Sequence, residues 1–169
     1  SYNNHTGVPL SLARMPADAA FGVFEMGMNH AGELSALTRL VRPHVALITS
    51  VAAVHLEFFA NVEAIADAKA EIFEGLENGG TAVIPFDNPH RDLLIGRARP
   101  HAETILTFGR GAGADVRLID AVPVAGGTMM VVALGDVELS FTLGQRGDHW
   151  VSNALGIIAG VSALGGDLA

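Results

Sequence analysis

The sequence predicts an α/β fold in which a mainly parallel sheet is flanked by helices and followed by a small antiparallel β segment. Up to residue 108, short apolar runs alternate with helical patterns, which is typical of a parallel sheet covered on both faces. From residue 115 onward, apolar and polar residues alternate one by one, as in antiparallel strands buried on one side. We therefore expect one domain over residues 1–169, with the antiparallel segment at about residues 115–143.

The elements of the first part follow from its apolar runs and from the residues that interrupt them. Residues 1–14 are expected to form a loop, because Gly7 and Pro9 interrupt any regular pattern. Buried strands are predicted at the short, largely apolar runs, which are residues 20–26, 44–50, 81–85 and 103–108. Helices are predicted between them, at residues 31–40 with Asn29 as a possible N-cap, at 61–76 and at 90–98.

The second part is predicted to form a β meander that leads into a long helix. Its strands are expected at residues 116–122, 128–134 and 137–143. Gly135 and Asp136 suit a two-residue hairpin turn between the last two strands. The helix is expected at residues 150–164, and it is too short and too rich in glycine and alanine for a membrane span.

Composition excludes several classes of protein. The formal net charge of −8 argues against nonspecific nucleic-acid binding and against attachment to an anionic membrane surface. The absence of cysteine excludes disulfides, thiolate metal sites and thiol nucleophiles. There is no signal-peptide pattern and no run of roughly 20 uncharged apolar residues, so we expect a cytoplasmic protein.

Lys69 is the only lysine, since the other nine of the ten Lys and Arg residues are arginine. In the predicted helix it falls on the apolar face with Ile65 and Phe73, while the acidic residues occupy the opposite face. Burying an amine is costly, and a buried lysine, unlike arginine, can lose its proton and react. The alternative is that its stem lies along the apolar surface and carries the ammonium group to the rim.

Further candidates follow the predicted strands. Glu25 ends the first strand, His55 follows the second, and Asp87 and Asn88 follow the third. Ligands of open α/β sheets bind outside the carboxyl ends of the strands, so we expect a cleft for metal and phosphate here, which Lys69 could also face. Each residue also has an ordinary alternative, namely a solvated or capping glutamate, a core histidine and an Asp-Asn-Pro turn.

A phosphate-binding loop is absent from the sequence. With lysine only at position 69, no G-x-x-x-x-G-K-[ST] motif can occur. The glycine-rich residues 109–114 precede a predicted strand rather than a helix whose N-terminus would hold phosphates, so we interpret them as an ordinary loop. The sequence also has no serine nucleophile elbow, no catalytic carboxylate pair and no histidine-rich zinc pattern.

Ordered stretches over nearly the whole chain resemble the central domain of the Mur ligases, which has a P-loop NTPase-like fold. The N-H-x-G-E run favours the branch of that family that joins D-alanyl-D-alanine to UDP-N-acetylmuramoyl-tripeptide. The stretches are S-Y-N-N-x-x-G-V-P-L-S-L (1–12), E-M-G-M-N-H-A-G-E (25–33), R-P-H-V-A-L-I-T-S (42–50), A-A-V-H-L-E-F-F (52–59), I-A-D-A-K-A-E-I-F (65–73) and G-D-H-W-V-S-N-A-L (147–155).

The resemblance implies a metal site. Glu25 and His55 match magnesium ligands of the family. Lys69 matches the lysine that is carbamylated in most of its members, and whose carbamate binds a second magnesium ion. Lys69 and His55 are therefore the predicted catalytic residues. This agrees with the chemistry, because desolvation favours a neutral amine and only a neutral amine adds CO₂.

The resemblance also implies sites for ATP and for the sugar-peptide substrate. His149 and Asn153 match residues that approach the adenine ring, although many relatives have Asn where this chain has Trp150. Asn88, at the same sheet edge, is predicted to contact the nucleotide as well. The predicted contacts to the UDP-sugar-peptide are Asn3, Asn4 and His30.

The implied reaction is ATP-dependent amide formation. The γ-phosphate passes to the substrate carboxylate, the amine of D-alanyl-D-alanine attacks the acyl phosphate, and phosphate leaves. The family's P-loop and C-terminal domain are not among these 169 residues, so we expect a chain cut to this length to be inactive. Two alternatives remain open, a related ligase such as a folylpolyglutamate synthetase and a non-catalytic ligase-like module.

Overall fold

The computed structural model describes residues 2–53 and 57–168, and it places six strands in one mixed sheet. The strand order along the sheet is the same as the order along the chain. Strands one to four pair in parallel, and the last two continue the sheet in antiparallel pairs. The strands are β1 (Val45–Leu47), β2 (Thr81–Pro85), β3 (Thr104–Gly109), β4 (Val116–Val124), β5 (Gly127–Leu134) and β6 (Val137–Leu143).

Helices cover both faces of this sheet, as the sequence predicts. Residues of α3 and α4 are buried in a core on one face, and α5 is buried against β3, β4 and β5 on the other. None of the helices formed by the described residues is long and apolar enough to cross a bilayer. The helices are α1 (Gly7–Arg14), α2 (Glu33–Val41), α3 (Val62–Ala70), α4 (Arg91–Ala98) and α5 (Asp148–Ala163), with a 3₁₀ turn at Glu71–Gly75.

β2 is the central strand of the parallel part, and all five of its residues are buried. Its side chains alternate between the two cores, since Ala82 and Ile84 pack with α3 and α4 while Val83 packs with α5. The predicted bounds of this strand, residues 81–85, are confirmed. β1 is shorter than the predicted residues 44–50, because it covers only Val45–Leu47. β3 is shifted by one residue from the predicted residues 103–108.

The prediction of a loop over residues 1–14 is wrong, because α1 occupies Gly7–Arg14. Pro9 is tolerated because it lies in the first turn, where a backbone N–H has no partner within the helix. Asn4 accepts hydrogen bonds through Oδ1 from the N–H groups of Thr6 and Gly7, at 3.1 and 2.9 Å. Gly7 packs so closely on the Tyr2 backbone that a Cβ atom would overlap it.

The prediction of a buried strand at residues 20–26 is also wrong. This segment has no strand assignment, and Phe21 and Val23 are 65% and 95% exposed. An apolar run forms a strand only beside a hydrogen-bonding neighbour, and the Gly27 N–H instead donates to the Asn3 carbonyl at 2.7 Å. Glu25 therefore does not lie on a strand of the sheet.

Asn29 does not cap α2, contrary to the prediction. The helix begins at Glu33 after Gly32, which is left-handed with φ of +87° and gives no side-chain cap. The cap comes from Glu71, 39 residues later, whose carboxylate accepts from the N–H of Gly32 at 2.7 Å and from that of Ser35 at 3.2 Å. A carboxylate at a helix N-terminus also interacts favourably with the helix dipole.

The predicted helix over residues 61–76 is formed in two parts. α3 runs to Ala70 and is capped by Asn61, whose Oδ1 accepts from the Ala64 N–H at 2.8 Å. The 3₁₀ turn then carries Phe73 fully into the core. It also directs Glu74 toward α2, where Arg39 and Ser35 bind its carboxylate.

The antiparallel segment agrees with the prediction. β5 pairs with both β4 and β6, and Gly135, with φ of +56°, forms the predicted turn between β5 and β6. The segment is not a separate appendage, because β4 also pairs in parallel with β3. α5 packs against the face of the antiparallel segment that carries its buried apolar side chains.

The tertiary cap on α2 gives a testable prediction. Glu71→Ala removes the acceptor for two helix N–H groups and is expected to lower the free energy of unfolding by about 1–2 kcal/mol in urea titrations. Glu63→Ala is the matched control, because the Glu63 side chain is exposed and forms no hydrogen bond or ion pair within the described residues. Its expected loss is about 0.5 kcal/mol. Equal losses in the two variants would contradict the cap.

Candidate active site

A cleft of about 1210 Å³ lies beside β1 and contains both of the predicted metal-site residues that the structure describes, Glu25 and Lys69. Its walls come from the end of β1, from residues 25–29, from the start of α2 and from α3. Glu25, Lys69, Asn3 and Asn4 all line it. The structure thus brings together residues that are up to 66 positions apart in the sequence, as the range from Asn3 to Lys69 shows.

Glu25 is exposed on the wall of this cleft. Asn3 Nδ2 donates to Glu25 Oε1 at 2.9 Å, which fixes one carboxylate oxygen in place. The neighbouring backbone bond between Gly27 N–H and the Asn3 carbonyl holds the two segments side by side. Glu25 therefore reaches the cleft from an irregular segment, although the sequence predicts a strand there.

Lys69 lies in the last turn of α3, half-buried, and lines the same cleft. Desolvation by burial lowers the pKa of its amine from the ordinary 10.5. No ion pair within residues 2–53 and 57–168 includes it. A half-buried amine without a carboxylate partner loses its proton more readily than a solvated one.

The third predicted metal ligand, His55, lies outside the described residues. Within the described part of the chain, no group of three or more His, Cys, Asp or Glu side chains is placed to hold a metal ion. Glu25 and Lys69 are therefore the described members of the predicted set. The carboxylate of Glu25 fits a hard cation such as Mg²⁺, which prefers oxygen ligands, whereas the Lys69 amine would fit it only as a carbamate.

The predicted substrate residues have different local roles. Asn4 accepts from the N–H groups of Thr6 and Gly7 at the start of α1, and Asn3 binds Glu25, so both are tied to the structure of the cleft wall. His30 is exposed, and its ring lies 4.8 Å from that of Phe58, between centroids. Glu33 accepts from the Asn29 and His30 N–H groups and from His30 Nδ1, and these bonds lower the pKa of Glu33.

Asn88, the predicted nucleotide contact after β2, binds backbone groups through both ends of its amide. Nδ2 donates to the Val51 carbonyl at 3.0 Å, and Oδ1 accepts from the His90 N–H at 3.0 Å. Asp87 binds the N–H groups of Arg110 and Gly111. Apart from the local bond to His90, sequence patterns do not reveal these bonds, because the partners lie more than 20 residues away.

The predicted adenine residues lie at the start of α5. His149 is exposed and Asn153 is half-buried, and their spacing of four residues places them on one face of the helix. Trp150, which is 41% exposed, contacts the His149 ring with 5.4 Å between centroids. These residues do not line the cleft of Lys69, so the candidate site has two parts.

Comparison with known proteins shows which sequences and folds this chain is similar to. The UDP-N-acetylmuramoyl-tripeptide–D-alanyl-D-alanine ligase of Haemophilus influenzae is 33% identical over 99% of this chain and 36% of its own length. The crystal structure of MurF from Acinetobacter baumannii matches with a TM-score of 0.92 and 29% identity, over 99% of this chain and 36% of that one. MurF ligase from Thermotoga maritima in complex with ADP shares the fold, with a TM-score of 0.78 and 24% identity over 97% of this chain and 38% of that one.

The family is shown by the extent of the match. The chain spans 34–38% of the length of the first curated relatives. The sequence model of the Mur ligase middle domain matches residues 1–161. The predicted resemblance is thus confirmed, and the chain belongs to the Mur ligase family, whose middle domain it contains.

Proposed function

We propose that this chain is the middle domain of an ATP-dependent ligase of peptidoglycan precursor synthesis. The ligase joins D-alanyl-D-alanine to UDP-N-acetylmuramoyl-tripeptide through an acyl phosphate, in the cytoplasm. One observation carries the proposal: the only lysine of the chain is half-buried, with a lowered pKa, in the same cleft as Glu25. The curated relatives that match nearly the whole chain carry the name of this ligase.

Lys69 supplies an anionic ligand in this proposal. Its neutral amine nitrogen forms a bond to the carbon of CO₂ and loses a proton, which leaves a carbamate on the side chain. The lowered pKa supports this step, because more of the amine is neutral near pH 7 than in a solvated lysine. The cleft gives the product room, since it is open and has a volume of about 1210 Å³.

Magnesium would be held by Glu25, by the Lys69 carbamate and by His55. The ions would offset the negative charge of the ATP phosphates during phosphoryl transfer. Asn3 restrains the Glu25 carboxylate through its bond to Oε1, which leaves Oε2 for a ligand. Such a hydrogen bond orients a ligating carboxylate and tunes its affinity for the metal.

ATP and the sugar-peptide would bind on either side of this metal site. His149 and Asn153 share one face of α5 and would contact the adenine ring, with Trp150 beside them. The exposed His30, on the loop that Glu33 holds, would contact the sugar-peptide, together with the wall formed by Asn3 and Asn4. The test is ATP-dependent phosphate release by the gene product with UDP-N-acetylmuramoyl-tripeptide and D-alanyl-D-alanine, compared with release with a folate and glutamate.

The lowered pKa of Lys69 predicts how stability depends on pH. Between the lowered pKa and 10.5 the unfolded chain binds more protons than the folded one, so stability rises with pH in that window and is lowest below it. Lys69→Met is therefore expected to raise the free energy of unfolding at pH 7 by about 0.5–2 kcal/mol and to abolish the alkaline rise. Urea titrations in CO₂-free buffer measure both, and exposed Arg14→Met, the control, is expected to gain nothing.

The carbamate is tested by kinetics and by NMR. Lys69→Arg cannot form a carbamate and is expected to lower kcat of the gene product by at least about 100-fold. Wild-type protein in ¹³C-bicarbonate should show a carbamate signal that this variant lacks. Arg97→Lys, at an exposed residue that pairs with Asp67, should retain activity. Full activity of Lys69→Arg, with no carbamate signal in the wild type, would refute the role.

The role of Glu25 is tested by its magnesium dependence. Glu25→Gln keeps a side chain that can accept from Asn3 but removes the charge, and it is expected to raise the magnesium concentration for half-maximal rate at least about tenfold. Asp136→Asn, at an exposed hairpin turn, is the control for the loss of one negative charge. Identical magnesium curves for Glu25→Gln and the wild type would rule out metal binding by Glu25.

A further inference from the structure

Two adjacent side chains, Asp87 and Asn88, connect three separate loops at the carboxyl end of β2. They follow the last residue of that strand, Pro85, by two and three positions. Neither lines the cleft that contains Lys69. The side chains of both residues form hydrogen bonds with the backbone of distant segments. One segment follows β1 and the other follows β3, the two strands that flank β2 in the sheet.

Asp87 fixes the glycine-rich turn after β3. Its Oδ2 accepts from the Arg110 N–H at 2.6 Å, and its Oδ1 accepts from the Gly111 N–H at 2.9 Å. The carboxylate sits so close to Gly109 that a Cβ atom there would overlap Oδ2. Residues 109–111, which the sequence predicts to be an ordinary loop, therefore form a turn whose N–H groups hold a carboxylate of the same protein.

Phe86 limits the freedom of the same turn. A Cβ atom on Gly111 would overlap the Phe86 ring, and one on Gly113 would lie 3.0 Å from it. The Arg91 guanidinium carbon lies 4.6 Å from the centre of this ring, which holds the ring from α4. The turn is thus fixed by packing as well as by hydrogen bonds.

The glycine-rich turn after β3 also contacts the start of α5. Arg110 Nη2 donates to Asp148 Oδ1 at 2.9 Å, and Asp148 is the first residue of that helix. His149 follows directly, and Asn153 lies one turn further on. Asp87 is therefore connected through Arg110 to the helix turn that carries the proposed adenine contacts.

Asn88 connects to the other side of the site. Its Nδ2 donates to the carbonyl of Val51, in the segment after β1. Val51 is buried and precedes His55 by four residues in the sequence. The same amide accepts from the His90 N–H, so its orientation is fixed from the side of α4.

We propose that Asp87 and Asn88 are positioning residues that set the first turn of α5 and the start of the segment after β1, at Val51, relative to one another. The proposal rests on the proposed ligase function. Asp87 acts through the 109–111 turn and Arg110 on the binding of ATP. Asn88 acts through Val51 on the metal side. Neither residue touches a reacting atom.

Two near-isosteric substitutions, made in the gene product that contains this chain, test the Asp87 and Asn88 connections one at a time. Asp87→Asn places an NH₂ group against a backbone N–H and is expected to raise KM for ATP about tenfold, with kcat within about twofold. Asn88→Asp keeps the acceptor for the His90 N–H but replaces the donor to Val51 by a charged oxygen that the Val51 carbonyl repels. It is expected to raise the magnesium requirement about tenfold and to leave KM for ATP within about twofold.

The controls match the change in charge. Asp136→Asn lies at the exposed β5–β6 turn, and Asn78→Asp lies in the exposed loop before β2, at the opposite end of that strand. Both are expected to keep wild-type kinetics. If KM for ATP and the magnesium requirement are unchanged in both test variants while the wild type is active, the proposal is overturned.

Hydrogen exchange gives a readout that does not depend on activity. Asp87→Asn is expected to speed exchange at least about fivefold both in residues 109–114 and in the first turn of α5. Faster exchange in residues 109–114 alone, with α5 unchanged, would overturn the connection to the adenine contacts. If Asp87→Asn does not fold, Arg110→Gln replaces it, with about a threefold rise in KM for ATP expected. A wild type without ligase activity would refute the function, while the exchange result would still decide the connection.

Discussion

The parallel pairing of β2 with β1 and β3 is the constraint on which the rest of the structure depends. β2 is buried throughout and faces both cores, so the register of its neighbours is fixed from both sides. Parallel pairing brings the segments after β1, β2 and β3 to one edge of the sheet. Val51, Asp87 and Arg110 meet at this edge for that reason.

Four of the 18 acidic side chains of this protein bind N–H groups of its own backbone at structurally important positions. Glu71 caps α2, Glu33 holds the N–H groups of Asn29 and His30, and Asp87 holds those of the turn after β3. Asp115 likewise accepts from the N–H and hydroxyl of Thr107. Irregular segments contain backbone donors without helix or strand partners, and carboxylates satisfy them across the fold. The net charge of −8 thus reflects internal supports as well as a solvated surface.

The sequence predicts the regular elements well and the tertiary connections poorly. β2, the β meander and α5 follow from apolar periodicity, which depends on neighbours along the chain. α1 is missed because Pro9 is compatible with a first helical turn, and the cap of α2 is missed because Glu71 is distant in sequence. At residues 20–26 the apolar run predicts a strand that does not form, because hydrophobicity alone does not supply a pairing partner. Lys69 and Glu25 are placed in one cleft as predicted, although Glu25 reaches it from an irregular segment.

The single lysine has a consequence for chemical labelling. Reagents that acylate amines react faster with a lysine when more of its amine is neutral. Nine of the ten Lys and Arg side chains in this chain are guanidinium groups, which such reagents leave intact. Lys69 combines a lowered pKa with a place on an open cleft. An activated ester at neutral pH would therefore mark one side chain of this domain, and ligands that fill the cleft would protect it. The residue that makes the domain chemically unusual also makes the occupancy of its cleft directly measurable by mass spectrometry.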